Sequence, residues 1–353
     1  MIGVSAGTLD PDKVPERLRI VLLGDGLWAA RALHHLVGSH QVLAVVPRVH
    51  GTDGSLPEAA LELGLPCRIL RDVNAPDALQ WIRSLDADIL LSVSYDQIFR
   101  SALLKPDQPP ILNLHAGDPA RHRGRAILCW QLLEGAHEVT ISVMRVAKGI
   151  DAGPVLALRQ VALPEDATYS QALEALSRQV HVLLDEAFVA LRGGKVIASD
   201  ATVPTTYYPR RVVGDEWIDW SASALQVQRK IRALAPPNCL ARTRMGERDL
   251  LVGGAGSSEE RPGSVGAPGS VIGKNKDRGL LVRCGDGQLW ISTLQWADGS
   301  GASLAEFRLS DRLGADVLTE TERLRRRVAE LEARMALLES AGPRLLQGVG
   351  HAV

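Results

Sequence analysis

The chain is poor in aromatic residues, 4% of 353, and holds only four cysteines. Cys67, Cys129, Cys239 and Cys284 lie far apart and form no C-x-x-C pair, so neither a zinc ribbon nor a redox dithiol is signalled, and a reducing compartment fits. No metal site is expected. Lysine is scarce, seven of forty basic residues, and forty-one acidic residues leave a formal charge of −1. Such a chain has no net positive field to recruit a polyanion, which argues against nucleic acid as a partner while leaving room for a local basic patch. There is no run of eighteen apolar residues to span a membrane. The segment from Met1 to Glu16 carries Asp10 and Asp12 and lacks the basic start and apolar stretch of a signal peptide. A cytoplasmic protein without membrane contact is the expectation.

The hydrophobic fraction of 46% and charged fraction of 23% are those of a globular protein, and the length suggests two cores with an appendage. Leu18 to Leu23 is a short apolar run ending in Gly24-Asp25-Gly26, followed by a helical pattern from Leu27 to Val37 and a second run from Val42 to Val46. Helical patterns recur at Pro57 to Leu63 and Ala75 to Ser84, with apolar runs at Ile69 to Leu70, Asp88 to Val93 and Pro110 to Leu114. This alternation predicts an α/β fold, a Rossmann-like parallel sheet covered by helices. One long helix is expected over Ser170 to Leu191 as the close of that domain.

From Trp217 the texture changes. A helix from Ala222 to Leu234 stops at Pro236-Pro237, and short strand-like pieces follow at Leu250–Val252, Ser270–Ile272, Leu280–Val282 and Leu289–Leu294. Short strands with Gly turns predict a small β-rich, barrel-like domain. Gly253 to Gly269, rich in Gly, Ser and Pro, reads as an insertion between two of its strands. Val317, Leu324, Val328, Leu331, Met335 and Leu338 then recur at helical spacing between Arg and Glu, which predicts a helix that either pairs with a second copy or docks on its own chain. A homodimer is the expectation. The expected boundaries are an extension over 1–17, the α/β domain over 18–205, the β domain over 206–310, the helix over 311–341 and a tail over 342–353.

Gly24-Asp25-Gly26-Leu27-Trp28-Ala29 fits the G-x-G-x-x-A dinucleotide fingerprint, directly after a strand. The acidic residue expected at the end of the next strand is missing, since Val45-Val46-Pro47-Arg48 stands there, so a purely steric turn is the favoured reading. Asn113 and His115 lie two apart at the end of an apolar run and share one face of a strand. Asp151 follows in a loop-forming Gly149-Ile150-Asp151-Ala152-Gly153-Pro154. Taken alone, these could be satisfied turn residues. Together they offer an oxyanion donor, a base and a carboxylate to hold that base, the set that moving an acyl carbon to an amine needs.

Asn-x-His at 113–115, Arg-Gly-Arg at 123–125 and Ile-Asp-Ala-Gly-Pro at 150–154 resemble the catalytic core of the folate-dependent formyltransferases, which include methionyl-tRNA and sugar-nucleotide enzymes. The resemblance runs from about Leu18 to about Gln295, and its second half looks like the family's β domain. It implies 10-formyltetrahydrofolate as co-substrate, an N-terminal catalytic domain, Asn113 on the oxyanion, His115 as base and Asp151 orienting it. It also implies that Tyr95, Asp96, Gln97 and Ile98, facing Gly149 and Asp151, hold the pterin mainly through main chain. Where the family usually has Leu-Pro-x-Tyr-Arg-Gly, this chain has Pro119-Ala120-Arg121-His122-Arg123-Gly124, a departure on the acceptor side.

His-Ala-Gly at 115–117, Ser-Val-Ser-Tyr at 92–95, Tyr207-Tyr208-Pro209-Arg210-Arg211 and the stretch ending at Trp220 are similar to sugar-nucleotide formyltransferases. A nucleotide-linked amino sugar is the acceptor this similarity implies, met by Gly117, Arg123, Tyr207, Tyr208, Arg210, Arg211 and Trp220. Aromatic rings would stack on the base while guanidinium groups take the pyrophosphate. Methionyl-tRNA, a small amine of natural-product assembly, and a non-catalytic folate-binding module are the alternatives.

Overall fold

The computed structural model describes residues 14–51, 53–197, 206–257, 266–314, 321 and 324–336. These form two compact units, one through Asp215 plus Arg232–Cys239, the other Glu216–Ile231 and from Leu240 on. Residues 206–215, expected with the second domain, belong to the first.

The first unit runs β1 (Arg19–Gly24), α1 (Gly26–Ser39), β2 (Gln41–Pro47), α2 (Ser55–Glu62), α3 (Pro76–Ser84), β3 (Ile89–Val93), β4 (Ile111–His115), β5 (His122–Gly124), α4 (Ile127–Glu134), β6 (Glu138–Arg145), β7 (Val155–Ala162), α5 (Tyr169–Ser177), α6 (Val180–Arg192) and β8 (Thr206–Tyr208). Six strands order as β2-β1-β3-β4-β6-β7. The first four are parallel, as the apolar runs predict, but β6 enters antiparallel to β4 and β7 antiparallel to β6. The sheet is therefore mixed, because β4 reaches β6 through α4 without a full crossover and β6–β7 is a hairpin. The Ile69–Leu70 run forms no strand.

Val21 and Leu23 of β1, Leu90 of β3 and Ala78 and Ile82 of α3 share one core cluster. Truncating a Leu in such a core costs about 2–5 kcal/mol. The long helix expected over 170–191 is two, α5 and α6. Thr168 and Gln171 form a capping box at its start. No Gly or Pro marks the break; Ser177 Oγ instead donates to the Leu173 carbonyl and the Gln179 amide bonds Leu176, three residues back, tightening the turn.

The second unit is an antiparallel sheet of β9 (Ala241–Met245), β10 (Arg248–Ser257), β11 (Val271–Asn275), β12 (Gly279–Arg283) and β13 (Gln288–Trp296), ordered β11-β12-β13-β10-β9. Its two edges are joined by one segment: Leu313 bridges Met245 of β9 and Arg312 bridges Ser270 beside β11. That closes the sheet into a barrel-like body and protects both edges. Gly253 to Ser257, read as insertion, continue β10 against β13, while 258–265 lie outside the described residues. Helix α7 (Ala224–Ala233) precedes the barrel, and a helix α8 over 324–336 follows it. Val317 and Leu338 lie outside the described residues, as does the extension through residue 13.

Candidate active site

The C-terminal ends of β1, β3 and β4 open on one side of the sheet, on either side of the point where strand order reverses, the usual ligand position in open α/β sheets. There the first unit holds a cavity of about 1450 Å³, lined by the loop after β3, by Asn113 and His115 at the end of β4, and by Lys148 to Asp151. The three residues expected to act together do meet.

Asn113 is fixed from behind: Ser92 Oγ, on the neighbouring strand, donates to its Oδ1 at 2.9 Å. With the carbonyl end engaged, the amide N–H group is the end left for the cavity. His115 is 7% exposed, and its Nε2 lies 2.7 Å from the main-chain carbonyl of His122. A carbonyl only accepts, so Nε2 carries the proton and Nδ1 is the basic nitrogen. Nδ1 lies 3.9 Å from Asp151 Oδ2, too far for a hydrogen bond. The sequence reading gave Asp151 the orienting role; here the His122 carbonyl orients the ring. Asp151, at φ 46°, is held by the Gly124 amide, 2.9 Å from Oδ2. Gly153 lets that loop close against β6, since a Cβ there would stand 1.7 Å from the Arg145 carbonyl oxygen.

The loop after β3 presents a left-handed Ser94, at φ 58°, and then Tyr95 to Ile98. The Gln97 side chain is occupied, accepting from Val73 N–H and donating to the Leu70 carbonyl, so it braces the loop. Tyr95 stacks on Phe99, and burial pushes its phenol up to about 12 while its hydroxyl finds no protein partner. Ile98 is 66% exposed at the cavity, and Asp96 lies within 4.0 Å of Arg48. An apolar edge beside main-chain polar groups and an orphaned hydroxyl suits a flat, polar-rimmed heterocycle such as a pterin.

Of the acceptor candidates, Tyr207 lines the cavity and is 55% exposed, and Arg210 is exposed. The others do not offer what was expected of them. Trp220 belongs to the second unit, 4% exposed with its indole N–H on Thr243, and has no free face for a base. Arg211 is held between the sulfurs of Cys129 and Cys239 at 3.5 and 3.0 Å. Tyr208 donates its hydroxyl to Glu134 and packs against His122 and Trp130. Arg123 Nε donates to the Pro119 carbonyl, and Gly117 sits where a Cβ would press on Ile127, His122 and His115. Sequence reasoning quoted Arg125 and Ser92 within motifs but gave neither a role: Arg125 is an exposed side chain on the cavity, and Ser92 is a lone hydroxyl inside an otherwise apolar strand. His122, which the sequence marked only as a departure from the family pattern, is half-buried and so shifted below the usual histidine range, and its Nδ1 finds no hydrogen-bond partner.

The glycine fingerprint has a steric cause. A Cβ on Gly24 would stand 2.5 Å from the Val93 carbonyl oxygen of β3. The buried Asp25 carboxylate sits at the start of α1, paired with Arg48 at 3.5 Å, where a dinucleotide phosphate would have to bind. Among the described residues no cluster of three or more His, Cys, Asp or Glu is arranged to hold a metal, and no helix is long and apolar enough to cross a membrane.

Residues 58–188 match the family model described as formyl transferase, and residues 213–311 match the formyl transferase C-terminal domain. A methionyl-tRNA formyltransferase of Methylobacterium sp. (strain 4-46) is 31% identical over 311 residues, covering 84% of this chain and 97% of that one. Among solved structures, WlaRD, a sugar 3N-formyl transferase crystallised with dTDP and 5-N-formyl-THF, superposes with a TM-score of 0.59 at 13% identity, covering 80% of this chain and 99% of that one. HypX from Aquifex aeolicus in complex with tetrahydrofolic acid gives 0.56 at 18% identity over 80% of this chain and 44% of that one. At those identities the superpositions speak for the fold alone. With both domain models matched in order and a near full-length relative, the chain belongs to the formyltransferase family.

Proposed function

We propose that the protein transfers the formyl group of 10-formyltetrahydrofolate to the amino group of a nucleotide-linked amino sugar, in the cytoplasm and as a homodimer. The observation that carries the acceptor is Tyr207, an exposed ring on the same cavity as Asn113, His115 and Asp151, which Arg125 also lines. An unactivated amine gives an enzyme little to grip, so binding energy from a remote handle must position the nitrogen at the formyl carbon. A nucleotide offers a base for Tyr207 and a diphosphate for Arg125 and Arg210.

The amide N–H of Asn113 meets the negative charge that develops on the formyl oxygen. As the amine attacks, Nδ1 of His115 takes its proton, and the imidazolium so formed faces the Asp151 carboxylate; His115 then gives that proton to the folate nitrogen N10 as the bond from N10 to the formyl carbon breaks, and tetrahydrofolate leaves. Tyr95 to Ile98, with Gly149, hold the pterin end. Methionyl-tRNA is the second reading, favoured by the curated relatives, 97% of whose length this chain covers. Against it stand the near-neutral charge and Arg48, the one Arg between Pro47 and Leu56, which is taken up by Asp25 and Asp96.

Steady-state competition separates the two. A free nucleoside diphosphate should compete with the acceptor and leave the folate KM unchanged, and Tyr207→Ala should raise the acceptor KM far more than the folate KM. Transfer to methionyl-tRNA untouched by any nucleoside diphosphate would favour the second reading.

A further inference from the structure

Helix α8 is exposed along its whole described length, including its apolar side chains: Leu324 52%, Val328 53%, Leu331 46% and Met335 59%. Their spacing of four, three and four is that of one heptad seam, with Leu324 and Leu331 at d and Val328 and Met335 at a. A helix of this length that packs on nothing is marginal in water, since lone helices need roughly 12–15 residues even in favourable sequences. The stripe calls for a cover.

We infer that α8 pairs in parallel and in register with α8 of a second copy of this chain, as a two-stranded coiled coil. The inference builds on the homodimer reading above and names the surface that makes it. Leu at d with β-branched Val at a favours two strands. The flanking charges choose the orientation. In a parallel pair, each g residue faces the e residue of the partner's next heptad, which sets Arg327 of one copy against Glu332 of the other. An antiparallel pair stacking the same a and d layers would instead bring g against g and e against e, which keeps an attraction between Glu332 and Arg325 but sets Arg327 of one copy against Arg334 of the other, like against like. Within one copy Arg327 pairs with Glu330 on the solvent side at 2.7 Å, an exposed contact of little value that leaves it available for exchange.

The test is sedimentation equilibrium of the full-length protein at micromolar concentration and low salt, with formyl transfer measured alongside. The parent should sediment at twice the 38.0 kDa of one chain. Leu331→Glu should be monomeric with its transfer rate unchanged, because α8 carries no residue of the active site. Arg327→Glu and Glu332→Arg should each weaken self-association by roughly tenfold, and mixing the two should restore a dimer, since each then supplies the charge the other lacks. A monomeric parent would overturn both the homodimer and the coil. A dimeric parent that stays dimeric as Leu331→Glu would overturn the coil alone, as would single charge variants that fail to complement each other. A monomeric parent whose melting temperature drops on Leu331→Glu would show that α8 docks on its own chain.

Discussion

His115 takes its tautomer from a main-chain carbonyl, so the choice of basic nitrogen is set by where β5 begins and survives changes to the carboxylate. In the proposed reaction Asp151 acts through charge, held by the Gly124 amide 3.9 Å from Nδ1 of His115. Asn113 depends in the same way on Ser92. Asn113→Ala should therefore lose about 2.7–4 kcal/mol of transition-state stabilisation, the size of an oxyanion donor elsewhere. Ser92→Ala should lower kcat by less, through an amide free to turn, with the folate KM unchanged. Equal kcat for Asn113→Ala and parent in single-turnover transfer would remove Asn113 from the chemistry.

At the scale of elements, Gly24 shows why a motif can match for reasons of its own. Its strand runs beside β3 so closely that any side chain meets the Val93 carbonyl, and the fingerprint spacing follows from packing. Gly24→Ala should cost on the order of 1–3 kcal/mol in denaturant unfolding, as overpacking does, and calorimetry should find no nicotinamide cofactor binding to the parent. Micromolar binding of NAD would contradict this. The parallel strands and the Asn-x-His turn were legible because buried runs and a period of two are local signals. The β6–β7 hairpin, β9 and the break between α5 and α6 were not. In β6 Thr140 and Ser142 interrupt the apolar run, in β9 Arg242 and Arg244 do, and the break rests on a hydroxyl and a tightened turn without Gly or Pro. Of the acceptor set, Tyr207 could be read, but the capture of Arg211 by two thiols and the burial of Trp220 are tertiary facts that no spacing announces.

For the whole molecule, two histidines tie stability to pH. His40 is buried, accepting from the Leu18 amide and lying edge-on to Phe188, and burial first, then Arg192, push it below the ordinary 6.5. Asp185 opposes that shift, while His35 and Arg17 add to it. His122 is lowered for the same leading reason, against the pull of Glu134 and Asp118. The unfolded chain thus takes up protons near 6.5 before the folded one, so stability is full above that pH and falls as pH drops through it. Thermal melts should shift down progressively from neutral toward pH 5, and His40→Gln should flatten the slope. A separate loss should follow near and below the ordinary carboxylate range, where Asp219 and Glu306, both held low, protonate. A melting temperature flat between pH 7 and 5 would refute the histidine linkage.

We propose that the first unit moves a formyl group from a folate to a sugar amine held by its nucleotide. The direct measurement is release of tetrahydrofolate from 10-formyltetrahydrofolate across a panel of nucleotide-linked amino sugars, methionyl-tRNA and free amino acids, run with parent and with a folded His115→Ala. The account predicts turnover with one class of nucleotide-linked amino sugar, none with the free amino acids, and loss of that turnover in His115→Ala. Turnover with methionyl-tRNA alone, or a His115→Ala enzyme within threefold of the parent, would contradict it.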